Sequence, residues 1–207
     1  MCLIVHKPAQ ATLSPALLES AARFNPHGVG LVAFPSDGPA LLRRRLASSP
    51  AELGAWSDEL SGTECVFHFR YGTRGALDED NVHPLQITED IYLFHNGTLR
   101  LDLHTPARSD TWHLAQDFLA PVLSRRPALI EDPTFQRMLE AAAGAQNRLV
   151  LVDLRRRRTV IINREAGVQY EGLWLSNSRW LDPRVLGERV APREIGAAAE
   201  RPVAFFA

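Results

Sequence analysis

A cysteine sits directly behind the initiator methionine and opens an apolar, β-branched run, Cys2-Leu3-Ile4-Val5-His6. Such a run predicts a buried strand that begins at the terminus itself. The position also carries a chemical implication. A small second residue permits removal of Met1, which would leave a thiol and a free α-amine on the same residue. That amine, with a pKa of roughly 7.7 to 8.0, can serve as the general base for its own side chain. A simpler reading is equally compatible with the position alone: Cys2 is a small apolar residue that starts a strand.

The remaining pattern predicts alternating elements. Ser14-Pro15 opens a helix, with Ser as N-cap and Pro in the first helical position. Leu17, Leu18, Ala21 and Ala22 form its apolar stripe, and Asn25-Pro26-His27-Gly28 breaks it. Val29 to Phe34 reads as a strand, followed by a loop, then strands at Cys65 to Phe69 and Ile91 to Phe94. A second helix starts at Ser109-Asp110, with Leu114, Phe118 and Leu119 expected to face inward. A third starts at Asp132-Pro133 and stops near Gly144. Leu149 to Leu154 and Thr159 to Asn163 flank the Arg155 to Arg158 run as a hairpin with a charged turn. Leu173 to Leu175 is a last short strand. This order fits two antiparallel sheets with helices packed outside them.

At 207 residues the chain is expected to form a single domain over residues 1–207. Its core would cover about 2–180, with a tail over 181–207 whose apolar end, Val203 to Phe206, is expected to pack. The net charge of −1 argues against a nucleic-acid binder, so the arginine run reads as a solvated hairpin tip. No apolar run is long enough to span a bilayer, so no membrane association is expected. Two cysteines, Cys2 and Cys65, make no disulfide framework, which points to a reducing, cytoplasmic setting. His68, His83, His95, His104 and His113 lack the spacing of a known metal motif, and neither a catalytic metal nor another cofactor is expected.

Several short motifs then occur in order behind Cys2. They are His68-Phe69-Arg70-Tyr71-Gly72-Thr73-Arg74-Gly75, Asn81-Val82-His83-Pro84, His95-Asn96-Gly97 and Ser109-Asp110-Thr111. Glu171 to Asn177 looks like a closing strand. Together these resemble the class II glutamine amidotransferases of the N-terminal nucleophile hydrolase superfamily. The resemblance implies a four-layer sandwich, two stacked antiparallel sheets between helix layers. It implies that the Cys2 thiolate attacks the side-chain amide of L-glutamine, expels ammonia and leaves a thioester that water hydrolyses. Asn96 and Gly97 would hold the oxyanion. Arg70, with Thr73 and His83 in support, would take the substrate carboxylate, and Asp110 its ammonium.

Each of these residues has a bland alternative. Asn96-Gly97 suits a type I′ hairpin turn, Asp110 a helix cap, and His83 a loop before Pro84. The chain departs from the family in having His27 where many members carry an acid, and Gly72 where Ala is common. The family joins this domain to an ammonia-consuming synthase; here any acceptor is expected to be a separate polypeptide. Two other functions stay open: an N-terminal cysteine hydrolase of another amide, and a non-catalytic glutamine-sensing or interaction module.

Overall fold

The fold is known from a computed structural model that describes residues 2–179. The expected tail over 181–207 lies outside the described residues.

Strand β1 (Leu3–Lys7) starts where its sequence says it should. Helix α1 (Pro15–Phe24) follows, its first turn closed by the Ser14 side chain accepting from the Leu17 N–H. Strand β2 (Val29–Phe34) leads into β3 (Leu41–Arg45) and helix α2 (Pro50–Glu59). These last two elements occupy what the sequence reading left as a loop. A signal for α2 was present: Ser49 and Glu52 form a reciprocal capping box, with Pro50 in the first turn. Next come β4 (Glu64–Phe69), β5 (Leu85–Gln86) and β6 (Ile91–Asn96).

The second predicted helix is three segments in continuous succession. Helix α3 (Asp110–His113) runs into a π turn (Leu114–Leu119) and then α4 (Ala120–Leu123). Pro121 supplies a physical cause. It has no N–H to give the Asp117 carbonyl, and its ring would collide with that carbonyl in a regular α-helix. The π turn widens the backbone just before it. The wider turn also shifts the faces, so Phe118 is 55% exposed rather than turned inward, while Leu114 and Leu119 are buried as expected. Helix α5 (Pro133–Ala143) is capped by Asp132 and ends at Gly144. The hairpin β7 (Arg148–Asp153) and β8 (Arg158–Ile162) follows, then β9 (Val168–Tyr170) and β10 (Leu173–Leu175).

The strands form a six-stranded sheet, ordered β3-β2-β4-β1-β10-β9, and a four-stranded sheet, β5-β6-β7-β8. All the pairings are antiparallel. Strand side chains alternate between faces, and here the alternation sorts them into three layers. Leu3, Val5, Leu31, Phe67 and Phe69 pack against Leu17, Leu18, Leu53 and Trp56 of α1 and α2. Ile91, Leu93, Leu149 and Leu151 pack against Leu114, Leu119, Leu123 and Leu139 on the other side. Between the sheets lie Ile4, Val32, Val66, Phe94, Val150 and Trp174. This is the expected four-layer sandwich. No helix among the described residues is long and apolar enough to cross a membrane.

Candidate active site

The same parity sends the polar residues of these strands to defined places. The β1–β4 ladder ends with Leu3 opposite Phe69, so Cys2 and Arg70 come next on each strand, just past the pairing. There the Cys2 Sγ accepts from the Tyr71 N–H at 3.3 Å and approaches the Tyr71 carbonyl at 3.5 Å. Asn177 Nδ2 donates to the Cys2 carbonyl at 2.8 Å and ties the first residue to the strand end after β10. Burial raises the Cys2 thiol above the ordinary cysteine value, with the Tyr71 N–H and the Arg70 charge acting in the opposite sense. Cys65 points instead into the α1–α2 core, where burial pushes its thiol up to about 12.

Arg70 is buried. Its Nη2 donates to the carbonyls of Ala76, at 3.0 Å, and Arg74, at 3.3 Å, so its own loop folds around one side of the guanidinium. Nη1 is buried with no partner. Gly72 is more than a loosened turn: a Cβ there would lie 2.7 Å from Leu77 and 3.3 Å from the guanidinium. Glycine lets the backbone close over Arg70. Thr73 lies exposed on this loop. His27, which stands in place of an acid, accepts from the Gly72 N–H at 2.9 Å through Nδ1. Its backbone N–H donates to the Arg70 carbonyl at 3.0 Å. It buttresses the loop beside Cys2.

His83 is buried and joins a chain of imidazoles rather than lying in a free loop. His68 Nε2 is 3.1 Å from the His95 carbonyl and 2.7 Å from His83 Nδ1. A carbonyl can only accept, so His68 Nε2 carries the hydrogen and His83 Nδ1 is a bare acceptor. His83 Nε2 is therefore N–H, a buried donor with no partner. Burial holds His68 down to about 3 and His83 well below its ordinary value. His95 is lowered too, by burial, against an opposing pull from Asp110 and Asn147. On β6, parity turns His95 toward the helices. There Nε2–H donates to Asn147 Oδ1 at 2.9 Å and Nδ1 accepts from the Thr111 hydroxyl at 2.7 Å.

The next residue, Asn96, turns the other way, into the space between the sheets. Its side-chain amide meets Ser176 Oγ at 2.8 Å, and that oxygen accepts from the Ile4 N–H at 2.8 Å. The other amide atom of Asn96 is buried without a partner. Ser176 can donate as well as accept. As placed, Nδ2 donates to Ser176 Oγ and Oδ1 is the unpartnered atom; the flipped amide, accepting from the Ser176 hydroxyl, leaves Nδ2 as a free donor instead. Asn96-Gly97 is not a two-residue hairpin turn, because β6 pairs with the distant β7 and Gly97 leads into the long connection to α3. Gly97 has φ +147°, and a Cβ there would lie 2.1 Å from Asn147 Oδ1.

Asp110 is nearly fully buried in the first turn of α3, where Ser109 is the N-cap. Its Oδ2 accepts from the Leu99 N–H at 2.6 Å and Oδ1 from the Thr111 N–H at 2.9 Å. It thus ties the segment after Gly97 to the helix, and each oxygen keeps a further lone pair. Sequence reasoning missed Ser176, Asn147 and Asn177. Only Ser176 and Asn177 carried a hint, as the polar residues closing the last strand.

The fold thus sets a cysteine at a strand terminus beside two stacked antiparallel sheets enclosed by helices. No family model matches the sequence. Curated relatives do. The glutamine–fructose-6-phosphate aminotransferase (isomerizing) of Pseudomonas putida is 32% identical over 103 residues, covering 48% of this chain and 17% of the relative. The enzyme of the same name from Pseudomonas aeruginosa is 30% identical over 112 residues, 52% of this chain and 18% of the relative. That from Acidithiobacillus ferridurans is 36% identical over 104 residues, 48% of this chain and 17% of the relative. The matches thus span 17% to 18% of these relatives' length. Among solved structures, glutamine phosphoribosylpyrophosphate amidotransferase from B. subtilis, complexed with ADP and GMP, aligns over 84% of this chain and 41% of that chain. Its identity is 14% and the TM-score 0.44. Over about half of its length the chain is thus similar to glutamine–fructose-6-phosphate aminotransferases.

Proposed function

We propose that the protein hydrolyses L-glutamine to L-glutamate and ammonia, with Cys2 as nucleophile after loss of Met1. The observation that carries this reading is the set of unpartnered buried polar groups on the expected site residues. Arg70 Nη1, His83 Nε2 and Asn96 Oδ1 are buried and unpartnered, the last replaced by an amide N–H when the side chain is flipped, on residues near or at the ends of strands β4, β5 and β6. Buried polar groups are normally satisfied, so such a set suits a ligand rich in acceptors.

The steps follow from the groups. A thiol raised by burial is not ionised at neutral pH, so a base must take its proton. The freed α-amine of Cys2 is that base. The thiolate adds to the amide carbon, and the oxyanion that forms is held by the Asn96 amide and the Gly97 N–H, each worth ~10² to 10³ in rate. The protonated amine passes its proton to the departing nitrogen, and ammonia leaves. Water then cleaves the γ-glutamyl thioester. Arg70 binds the α-carboxylate through Nη1, and His83 and Thr73 assist. Asp110 accepts from the α-ammonium through its remaining lone pairs.

The whole chain acts as one domain, and the ammonia passes to a separate acceptor enzyme. Two free thiols suit a cytoplasmic setting. The decisive experiment is mass analysis before and after treatment with a glutamine-like electrophile. Loss of Met1 and glutamine-protectable labelling at Cys2 support the reading. Retained Met1, or labelling only at Cys65, defeats it.

A further inference from the structure

The histidines without metal-motif spacing in sequence are regrouped by the fold. His104 lies in the connection between Gly97 and α3, His113 ends α3, and Asp117 lies in the π turn. Asp117 Oδ2 is 2.8 Å from His113 Nδ1 and 3.8 Å from His104 Nδ1. The donor atoms of the three residues all lie within 4.8 Å of one another. The two rings meet edge to face at 4.4 Å between centroids.

We infer that His104, His113 and Asp117 form a binding site for a divalent transition metal such as Zn²⁺, outside the glutamine site. Bonds of about 2.0 to 2.1 Å in a tetrahedron put neighbouring ligand atoms roughly 3.3 Å apart. The observed 2.8 and 3.8 Å separations straddle that spacing, so small side-chain rotations suffice. Two imidazoles and one carboxylate are a donor set suited to zinc, cobalt or nickel rather than to magnesium or calcium. His113 and Asp117 are four residues apart on the helical segment, which fixes their relative direction. His113 is fully buried and rigid, whereas His104 and Asp117 reach solvent, leaving a path of entry and a fourth position for water.

The metal would fasten the connection from Gly97 to the helix that carries Asp110. That connection is already tied at its start by the Leu99 N–H to Asp110 and near its end by Asn81 and the Ala76 N–H to the Ala107 carbonyl. The site is therefore a brace on the segment joining the expected oxyanion turn to the expected ammonium-binding carboxylate.

The test uses untagged full-length protein in a Cys2→Ser background, which removes the Cys2 thiol as a competing ligand. Co²⁺ is titrated by visible absorption and Zn²⁺ by calorimetry, with His104→Ala and Asp117→Asn as variants. Both residues reach solvent, so the variants should fold. The expected result is one bound metal per chain, raised thermal stability on adding Zn²⁺, and affinity at least about tenfold weaker in each variant, since even outer-shell partners are worth that much. Absence of saturable binding, or binding that both variants leave unchanged, overturns the assignment and makes the group a hydrogen-bonded cluster only.

Discussion

Ser176→Ala isolates the bond between structure and chemistry at the candidate site. The hydroxyl holds the Ile4 N–H of β1 and the Asn96 amide of β6, and so fastens the two sheets where they meet the nucleophile. Alanine fits the same space and removes only these bonds. A buried N–H left unpaired costs about 1 to 3 kcal/mol. With a urea slope of about 2 kcal/mol/M, the unfolding midpoint should fall by roughly 0.5 to 1.5 M and the slope should not change. Glutamine turnover should fall with it, because the Asn96 donor loses its orientation, and misplacement by 1 Å can cost about 10² in rate. KM should change little, since neither Ser176 nor Asn96 is assigned to the substrate carboxylate. Asn96→Asp provides the contrast: its carboxylate can take the Ser176 hydroxyl hydrogen in place of the present amide bond but offers no donor, so kcat should fall by ~10² to 10³ with a smaller loss of stability. Urea titration and steady-state ammonia release read both effects. A Ser176→Ala protein with native midpoint and native kcat would refute the argument.

Further expectations rest on other groups. Gly97→Ala brings a Cβ onto Asn147 Oδ1 at a positive φ, so calorimetry should show a loss of about 2 kcal/mol or more; a change under about 0.5 kcal/mol speaks against the described turn. For His68 and His83 the folded pKa lies below the unfolded value of about 6.5. The unfolded chain then binds more protons, and stability falls as pH drops below about 6.5, by up to ~1.4 kcal/mol per pH unit for each histidine. Urea midpoints flat from pH 7 to 5 would contradict this. Arg70→Gln should raise KM for glutamine by roughly 10- to 100-fold, the worth of a hydrogen bond to a charged group; unchanged KM removes Arg70 from substrate binding. A thiol reagent at pH 8 should modify Cys2 but not Cys65 until denaturant is added; two reactive thiols in native protein would contradict the burial of Cys65.

Much of this fold could be read from the chain because its signals are local. Ser14-Pro15, Ser109-Asp110 and Asp132-Pro133 each cap a helix in the structure, and Asn25 and Gly144 stop two of them. The paired strands β7 and β8 were equally clear. What escaped was weakly patterned or non-local. Strand β3 carries Arg43, Arg44 and Arg45 at a sheet edge, where no apolar alternation is required. Phe118 was misplaced because a π turn breaks the 3.6-residue period. At the site, Arg70, His83, Asn96 and Asp110 were legible as motifs, although their chemical roles await the experiments above. Asn147 carried no signal and Ser176 only its place at the end of the last strand, since each is defined by a partner some 50 or 80 residues away. The grouping of His104 with His113 and Asp117 was hidden for the same reason.

Strand β1 behaves as a ruler. Its ladder ends at Leu3, and the thiol stands one residue beyond. Inserting one residue between Cys2 and Leu3 would leave every bond of the ladder intact and move the thiol to the opposite face. Such a protein would lose the contacts of Cys2 with Tyr71 and Asn177 but keep its ladder and core. The lesion would fall far more heavily on turnover than on folding, and selection on the length of this segment would act chiefly through chemistry.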